Sequence, residues 1–208
     1  MAKLLYDWDA ATAHVARRDR RIGGVIKRLG EARLEIKPFR SPFLYLMRAI
    51  IYQQLSGKAA ATIHGRVVEL FPTKRDVTPE RLLKLSDAKL RGAGVSGNKA
   101  KALRDLARRT AAGEIPTFAK LRKLDDDEIV ERLTAVHGIG KWTVEMLLIF
   151  QLGRPDVLPI DDLGVRKGYA IAHGLEEMPR PKALTELAES WRPYRTVGSW
   201  FCWRATDS

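Results

Sequence analysis

An all-α fold is predicted for this chain, and three observations carry the prediction. Across its 208 residues no segment shows the strict apolar–polar alternation of a half-buried strand. Apolar residues recur instead at three- and four-residue intervals, the spacing that puts them on one helix face. The breaks between these stretches are helix punctuation: Ser41-Pro42 and Thr78-Pro79 each place a capping hydroxyl before a proline at the first helical position.

After Ser41-Pro42, residues Phe43, Leu44, Leu46, Met47, Ile50 and Ile51 make a broad apolar face. Ser56 caps a second helix with Ala60, Ile63, Val67 and Leu70 on one side, ending by Pro72. Thr78-Pro79 opens a short helix carrying Leu82, Leu83 and Leu85, and Gly92 and Gly94 interrupt the chain. Ser96 then caps a helix with Leu103, Leu106 and Ala107 inward, closed by Gly113. The acidic run Asp125 to Glu128 suits the positive end of a helix dipole better than a metal site. Trp142 to Leu152 is apolar almost all round, so a central buried helix is predicted there, closed by Gly153. Further helices are predicted after Asp162 up to His173-Gly174, from Pro181 to Ser190, and from Tyr194 to Trp203. No internal repeat or low-complexity tract is present.

Composition narrows the partners. Lys and Arg number 37 against 25 Asp and Glu, a net charge of +12, while 45% of residues are hydrophobic. A foldable chain with that excess suits a polyanion such as nucleic acid. The first residues lack the apolar core of a secretory leader, and no apolar run is long enough to span a membrane. Cys202 is the sole cysteine, which excludes an intrachain disulfide framework, a cysteine zinc site and a four-cysteine iron–sulfur cluster. A cytoplasmic setting is the expectation. His14, His64, His137 and His173 show no metal-ligand spacing and receive no role.

Two motifs carry chemistry. Leu133 to Val144 (LTAVHGIGKWTV) reads as two helices joined by a Gly138-Ile139-Gly140 hairpin with Lys141 at its mouth. Backbone N–H groups at such a turn suit a phosphate oxygen, although the same turn also serves as a plain helix connection. Pro159 to Val165 (PIDDLGV) delivers two carboxylates to a helix start. One of the pair is expected to cap the helix, leaving the other for function. Gln53-Gln54-Leu55-Ser56 joins two helices; a glutamine there is either ordinary surface or a side chain that fills the gap left by an extruded base. Lys58, Lys99 and Lys101 lie near helix starts and could add phosphate contacts. Most aromatics of the tail from Trp191 to Arg204 are expected in the core, a minority in a pocket for a planar base.

These residues, in this order, resemble the helix-hairpin-helix superfamily of DNA glycosylases, specifically the AlkA-type 3-methyladenine DNA glycosylases in a short form without the N-terminal β domain. The likeness runs from about Asp19 to Trp203 and includes the stretches from Ser41 to Ser56 and from Trp191 to Arg195. It implies two helical lobes with the active-site cleft between them: 1–40 with 160–208, and 41–159 with the helix-hairpin-helix at about 129–152. The catalytic aspartate of the family is followed three residues later by a branched aliphatic. That register selects Asp162, with Val165 following, and leaves Asp161 as the structural member.

The resemblance also implies a substrate pocket from Trp142, Met146, Trp203 and Tyr52. DNA contacts fall on Gln54 (the wedge), Leu55, Ser56, Lys58, Lys99, Gly138, Gly140, Lys141 and Thr143. No cofactor is implied beyond a structural Na+ or K+ on the backbone carbonyls of Thr134, Val136 and Ile139. Bifunctional relatives carry a Schiff-base lysine two residues after the second hairpin glycine, where this chain has Trp142. His137 stands where many relatives have proline, and Met146 where some have tyrosine.

The implied activity is therefore monofunctional. An alkylated base of the 3-methyladenine and 7-methylguanine class is flipped out of double-stranded DNA and hydrolysed off, leaving an abasic site for base excision repair without strand cleavage. A monomer is expected, working in a bacterial nucleoid or a eukaryotic nucleus. Two alternatives stay open at this point: a non-enzymatic helix-hairpin-helix protein that recognises damaged or distorted DNA and has no need of Asp162, and a bifunctional glycosylase/lyase, against which Trp142 argues.

Overall fold

A computed structural model describes residues 4–207. The leader-free reading, so far as it rests on Met1, Ala2 and Lys3, lies outside them. Among the described residues there is no strand, and the helices are α1 (Trp8–Arg18), α2 (Arg20–Leu29), α3 (Pro42–Tyr52), α4 (Gly57–Glu69), α5 (Pro79–Leu83), α6 (Asp87–Gly92), α7 (Gly97–Ala111), α8 (Phe118–Leu121), α9 (Asp126–Thr134), α10 (Lys141–Leu147), α11 (Leu163–His173), α12 (Pro181–Leu187) and α13 (Arg195–Ala205). The punctuation read from the sequence does the work expected of it. Ser41, Ser56, Thr78, Ser96 and Asp125 each accept a backbone N–H of their helix's first turn, satisfying donors that have no partner inside the helix. In the N-terminal part of the helical lobe expected for 1–40, α1 and α2 are capped the same way, by Asp7 and Asp19. No helix among the described residues is long and apolar enough to cross a membrane.

The chain divides into two units, 39–144 and 1–38 with 145–208, the boundary falling inside α10. In the second of these, α11 packs on α13 at backbone-to-backbone distance. A Cβ added at Gly168 would lie 1.8 Å from the Cys202 carbonyl oxygen, and one at Gly198 would lie 2.2 Å from Trp191 Cε3. Around this contact Trp8, Trp191, Trp200 and Phe201 are buried, so most of the tail aromatics are core.

The segment from Gly153 to Asp162 is pinned to the start of α13. Thr196 Oγ1 donates to Arg154 O (2.7 Å) and accepts from Val157 N (2.9 Å). Asp156 Oδ1 accepts from Arg195 Nε (2.7 Å).

A polar tie crosses the same unit. Asp19 Oδ2 accepts from Trp191 Nε1 (2.9 Å) and pairs with His173 Nε2 (3.1 Å), while His173 Nδ1 faces Tyr169 O (2.9 Å). A carbonyl and a carboxylate are both acceptors, so both contacts are hydrogen bonds only when the ring donates from both nitrogens, as an imidazolium. Burial alone would pull the His173 pKa down. The hydrogen bonds to Asp19 and Tyr169 O outweigh it, and the net shift is upward. Burial likewise pushes Asp19 up, but the bonds from His173, the Ile22 N–H and Trp191 bring it below its ordinary value.

In the unit 39–144, α7 is the helix on which α3, α5 and α6 pack. Ala100, Leu103, Leu106 and Ala107 form its buried face. The polar residues Lys99 and Asp105 lie along the same helix and reach the turn after α3 and the hairpin after α9.

Candidate active site and nucleic-acid interface

The hairpin joins α9 to α10. Val136 N donates to Leu133 O (3.2 Å), and Ile139 N to Val136 O (3.1 Å). Gly138 sits at φ +79°, backbone that glycine adopts without strain, and Ile139 is buried. That anchor leaves Gly138, Gly140 and Lys141 exposed on either side. Two side chains brace the turn. Asp105 Oδ2 accepts from His137 N (2.8 Å) and Arg109 Nε (3.1 Å), and Gln53 Nε2 donates to Gly138 O (2.9 Å). Burial pushes the Asp105 pKa up, yet the His137 N–H and Arg109 outweigh it and hold the carboxylate below its ordinary range. Neither brace was foreseen, because residues 32 and 85 positions away from their partners in sequence leave no local signal.

Thr143, expected at the DNA, is 5% exposed and its N–H closes onto Gly140 O (3.0 Å), so its place is inside the helix start. Trp142 corrects the prediction of a helix buried from its first residue: it is 47% exposed, because the first turn of α10 lies beside the exposed Gly140 and Lys141. Val144, Met146, Leu147, Leu148, Ile149 and Leu152 are buried as expected.

The junction between α3 and α4 holds a strained residue. Gln54 has φ +54°, the one positive-φ non-glycine among the described residues, at a cost of about 1–2 kcal/mol. Gln54, Leu55, Ser56 and Lys58 are exposed. Lys99, expected on a phosphate, has its ammonium committed to Ile51 O and Gln53 O, both at 2.8 Å. Those carbonyls end α3, where a cation also complements the helix dipole. Tyr52 is half-buried, with the Arg48 guanidinium 3.8 Å above its ring and His64 edge-on at 6.2 Å.

In the unit 1–38 with 145–208, a turn closed by Asp162 N to Pro159 O (3.0 Å) presents the aspartate pair. Asp162 is the residue that caps α11: its Oδ1 accepts from Val165 N (2.8 Å) and also from Trp203 Nε1 (2.8 Å). The expected division, with Asp161 as the structural member, is corrected: Asp161 is exposed, and the residue chosen by register is also the cap. Gly164 makes room for the indole, since a Cβ there would stand 2.9 Å from Trp203 Cδ1 and 3.1 Å from Asp162 Oδ1.

After Leu147 the helix ladder widens to a π turn over Leu148–Leu152, ended by Gly153 in the left-handed region. Such turns re-aim side chains, and Phe150 from this one stacks on Trp203 with ring centroids 5.7 Å apart. Met146 is buried. Asp162, Trp203, Phe150 and Gly164 thus form one construction: a carboxylate whose first oxygen is fixed by two N–H donors, beside a stacked aromatic pair.

Backbone carbonyls at Thr134, Val136 and Ile139 are hard oxygen donors of the type an alkali cation takes. Val136 O already accepts one N–H and retains a second lone pair, so the donor set fits. Among the described residues no group of three or more His, Cys, Asp or Glu could hold a metal ion.

The chain is similar to known proteins over most of its length. The family described as HhH-GPD superfamily base excision DNA repair protein matches residues 47–193. DNA-3-methyladenine glycosylase 1 of Schizosaccharomyces pombe is 38% identical over 167 residues, covering 80% of this chain and 73% of that protein. The solved S. pombe 3-methyladenine DNA glycosylase, in complex with abasic DNA, superposes with a TM-score of 0.87 at 35% identity, covering 96% of this chain and 97% of that one. A DNA-3-methyladenine glycosidase from Bacillus halodurans gives 0.85 at 36% identity, covering 95% and 89%.

Proposed function

Because the chain belongs to the HhH-GPD superfamily of base excision DNA repair proteins, we propose that it is a monofunctional DNA glycosylase that hydrolyses alkylated bases of the 3-methyladenine and 7-methylguanine class from double-stranded DNA. The observation that carries this reading is the fixed carboxylate: Asp162 held by Val165 N–H and Trp203 Nε1–H beside the Phe150–Trp203 stack.

Alkylation at N3 or N7 leaves a cationic purine that departs with the glycosidic electron pair without a general acid. The sugar then gains positive charge at C1′, and Asp162 stabilises it; a pre-oriented charge in a dry site is worth far more than one in water. Water adds to C1′ and releases its proton, leaving an abasic site. Trp203, with Phe150 stacked on it, offers the extruded base an aromatic face, and cation–π attraction favours the alkylated form by about 0.5–2 kcal/mol per contact. Such modest discrimination leaves much of the selectivity to the lability of the damaged bond.

Gly138, Gly140 and Lys141 hold a backbone phosphate, with Lys58 adding positive charge. Gln54 and Leu55 fill the gap in the base stack. A Na+ or K+ at the hairpin would be held by the carbonyls of Thr134, Val136 and Ile139 and would add positive field beside that phosphate. Trp142 at the lyase position leaves no amine for a Schiff base, so the strand is not nicked. One copy of the chain acts alone, wherever the cell keeps its chromosome.

Incubation of methylated duplex DNA with the wild type and with Asp162→Asn tests this reading. Asparagine keeps an Oδ1 acceptor for both N–H donors, so the variant folds, while release of 3-methyladenine falls about 100- to 1,000-fold. Absence of base release by the wild type overturns the enzyme reading. Strand breaks before alkali treatment overturn its monofunctional part.

A further inference from the structure

One face of α7 touches both turns that the proposed function assigns to DNA. Lys99 Nζ holds Ile51 O and Gln53 O at 2.8 Å. One turn later, Ala102 Cβ lies 3.0 Å from where a Gly138 Cβ would stand. One turn further, Asp105 accepts the His137 N–H at 2.8 Å. The Gln53 side chain closes the loop by donating to Gly138 O at 2.9 Å. Gln54, immediately after the clamped Gln53 carbonyl, is the residue at φ +54°.

We infer that Lys99 is a positioning residue: its ammonium clamps the end of α3 so that Gln54 is presented to the base stack at a set distance from the phosphate-holding hairpin. Two physical facts converge on this. An exposed glutamine in left-handed backbone relaxes unless its flanking peptides are held, and the carbonyl one residue before it is held by a full positive charge. An ammonium with two of its three donors turned into protein carbonyls is also a poor phosphate ligand. Burial shifts the Lys99 pKa downward, as expected for a cation withdrawn from solvent to serve a protein contact.

The inference rests on the reading of Gln54 as the wedge, and the experiment separates the two. Excision of a single 7-methylguanine is measured in duplex and in single-stranded oligonucleotides for wild type, Lys99→Met, Gln54→Ala, the double variant and Gln53→Leu. Lys99→Met is expected to lower kcat/KM on duplex about 10- to 100-fold, the cost of misplacing a group by about an ångström. On single-stranded DNA, where no stack needs filling, the loss should stay within about twofold. Adding Lys99→Met to Gln54→Ala should cost nothing further, and the salt dependence of duplex binding should keep its slope. Gln53→Leu, which removes no charge and keeps the clamp but cuts the tie to Gly138 O, should show a loss confined to duplex and smaller than that of Lys99→Met.

Three results overturn the inference while Gln54→Ala remains impaired: additive losses in the double variant, equal losses on both substrates, or a salt slope shallower by about 0.9, the signature of one lost phosphate contact. A fully active Gln54→Ala instead refutes the wedge reading beneath it, and absent excision by the wild type refutes the enzyme.

Discussion

Replacing Gly168 by alanine tests whether the α11–α13 contact is what holds Asp162 and Trp203 together. A Cβ at this position would stand 1.8 Å from Cys202 O, 2.4 Å from Cys202 C and 2.9 Å from Cys202 Cα. The obstacle is α13 backbone, with no side-chain rotamer to swing aside. An ordinary C···O contact is about 3.3–3.6 Å, so the two helices must part by roughly 1.5 Å. Overpacking of this kind costs about 3 kcal/mol or more, offset by about 1 kcal/mol from alanine's better helix propensity. A net loss of about 2 kcal/mol or more lowers Tm by about 4–8 °C in a chain of this length.

Activity should fall too, measured well below Tm, because α11 carries the Asp162 cap and α13 carries Trp203, joined by a 2.8 Å bond. Gly24→Ala is the control: it lies in α2 with nothing within 4 Å of an added Cβ, and should stabilise by about 0.5–1 kcal/mol. Thermal melts of both variants, paired with base-release rates, decide the matter. A Gly168→Ala protein that melts at or above the wild-type temperature refutes the reasoning.

Two further expectations concern the same unit. Since folding raises the His173 pKa above its ordinary 6.5, its tie to Asp19 stabilises fully below that value and is lost as pH rises through the folded value. The lowered Asp19 contributes above its ordinary 3.8 and is lost as pH falls through its own folded value. Tm should therefore decline as pH rises above the ordinary 6.5 in the wild type and decline less in Asp19→Asn; parallel Tm profiles for the two proteins would remove the pair from the account. Burial pushes the Cys202 thiol well above its ordinary pKa, so a disulfide reagent should label it only as fast as the protein opens. Labelling of the native protein at the rate of a free thiol would contradict that burial.

Local chemistry made much of the fold legible. A serine or threonine before a helix, a proline behind it and apolar residues on one face act within a few residues, so Ser41, Thr78, Ser96 and Asp125 announced their helices unaided. The charged, glycine-interrupted stretch of α1 and α2 offers a weaker pattern, enough for a helical lobe but not for the bounds of its helices. At the site, the hairpin and the aspartate pair were legible because their spacing along the chain is itself the signal. Contacts with a distant partner were not: the Lys99 ammonium lies on Ile51 O and Gln53 O, and Trp203 Nε1 lies on Asp162.

What the sequence determined alone is therefore the helical class, the Gly138–Gly140 hairpin and the turn that delivers Asp161 and Asp162 to a helix start. Tertiary structure decided how these are held. Trp203 reaches Asp162 across 41 residues because Gly164 and Gly168 let indole and backbone approach where a Cβ would collide. Asp105 and Lys99 meet the hairpin and the Gln54 turn because packing brings α7 against them. Hydrogen bonds between residues far apart in the chain depend on where the helices come to rest, and burial is what makes the few polar groups between them choose one partner.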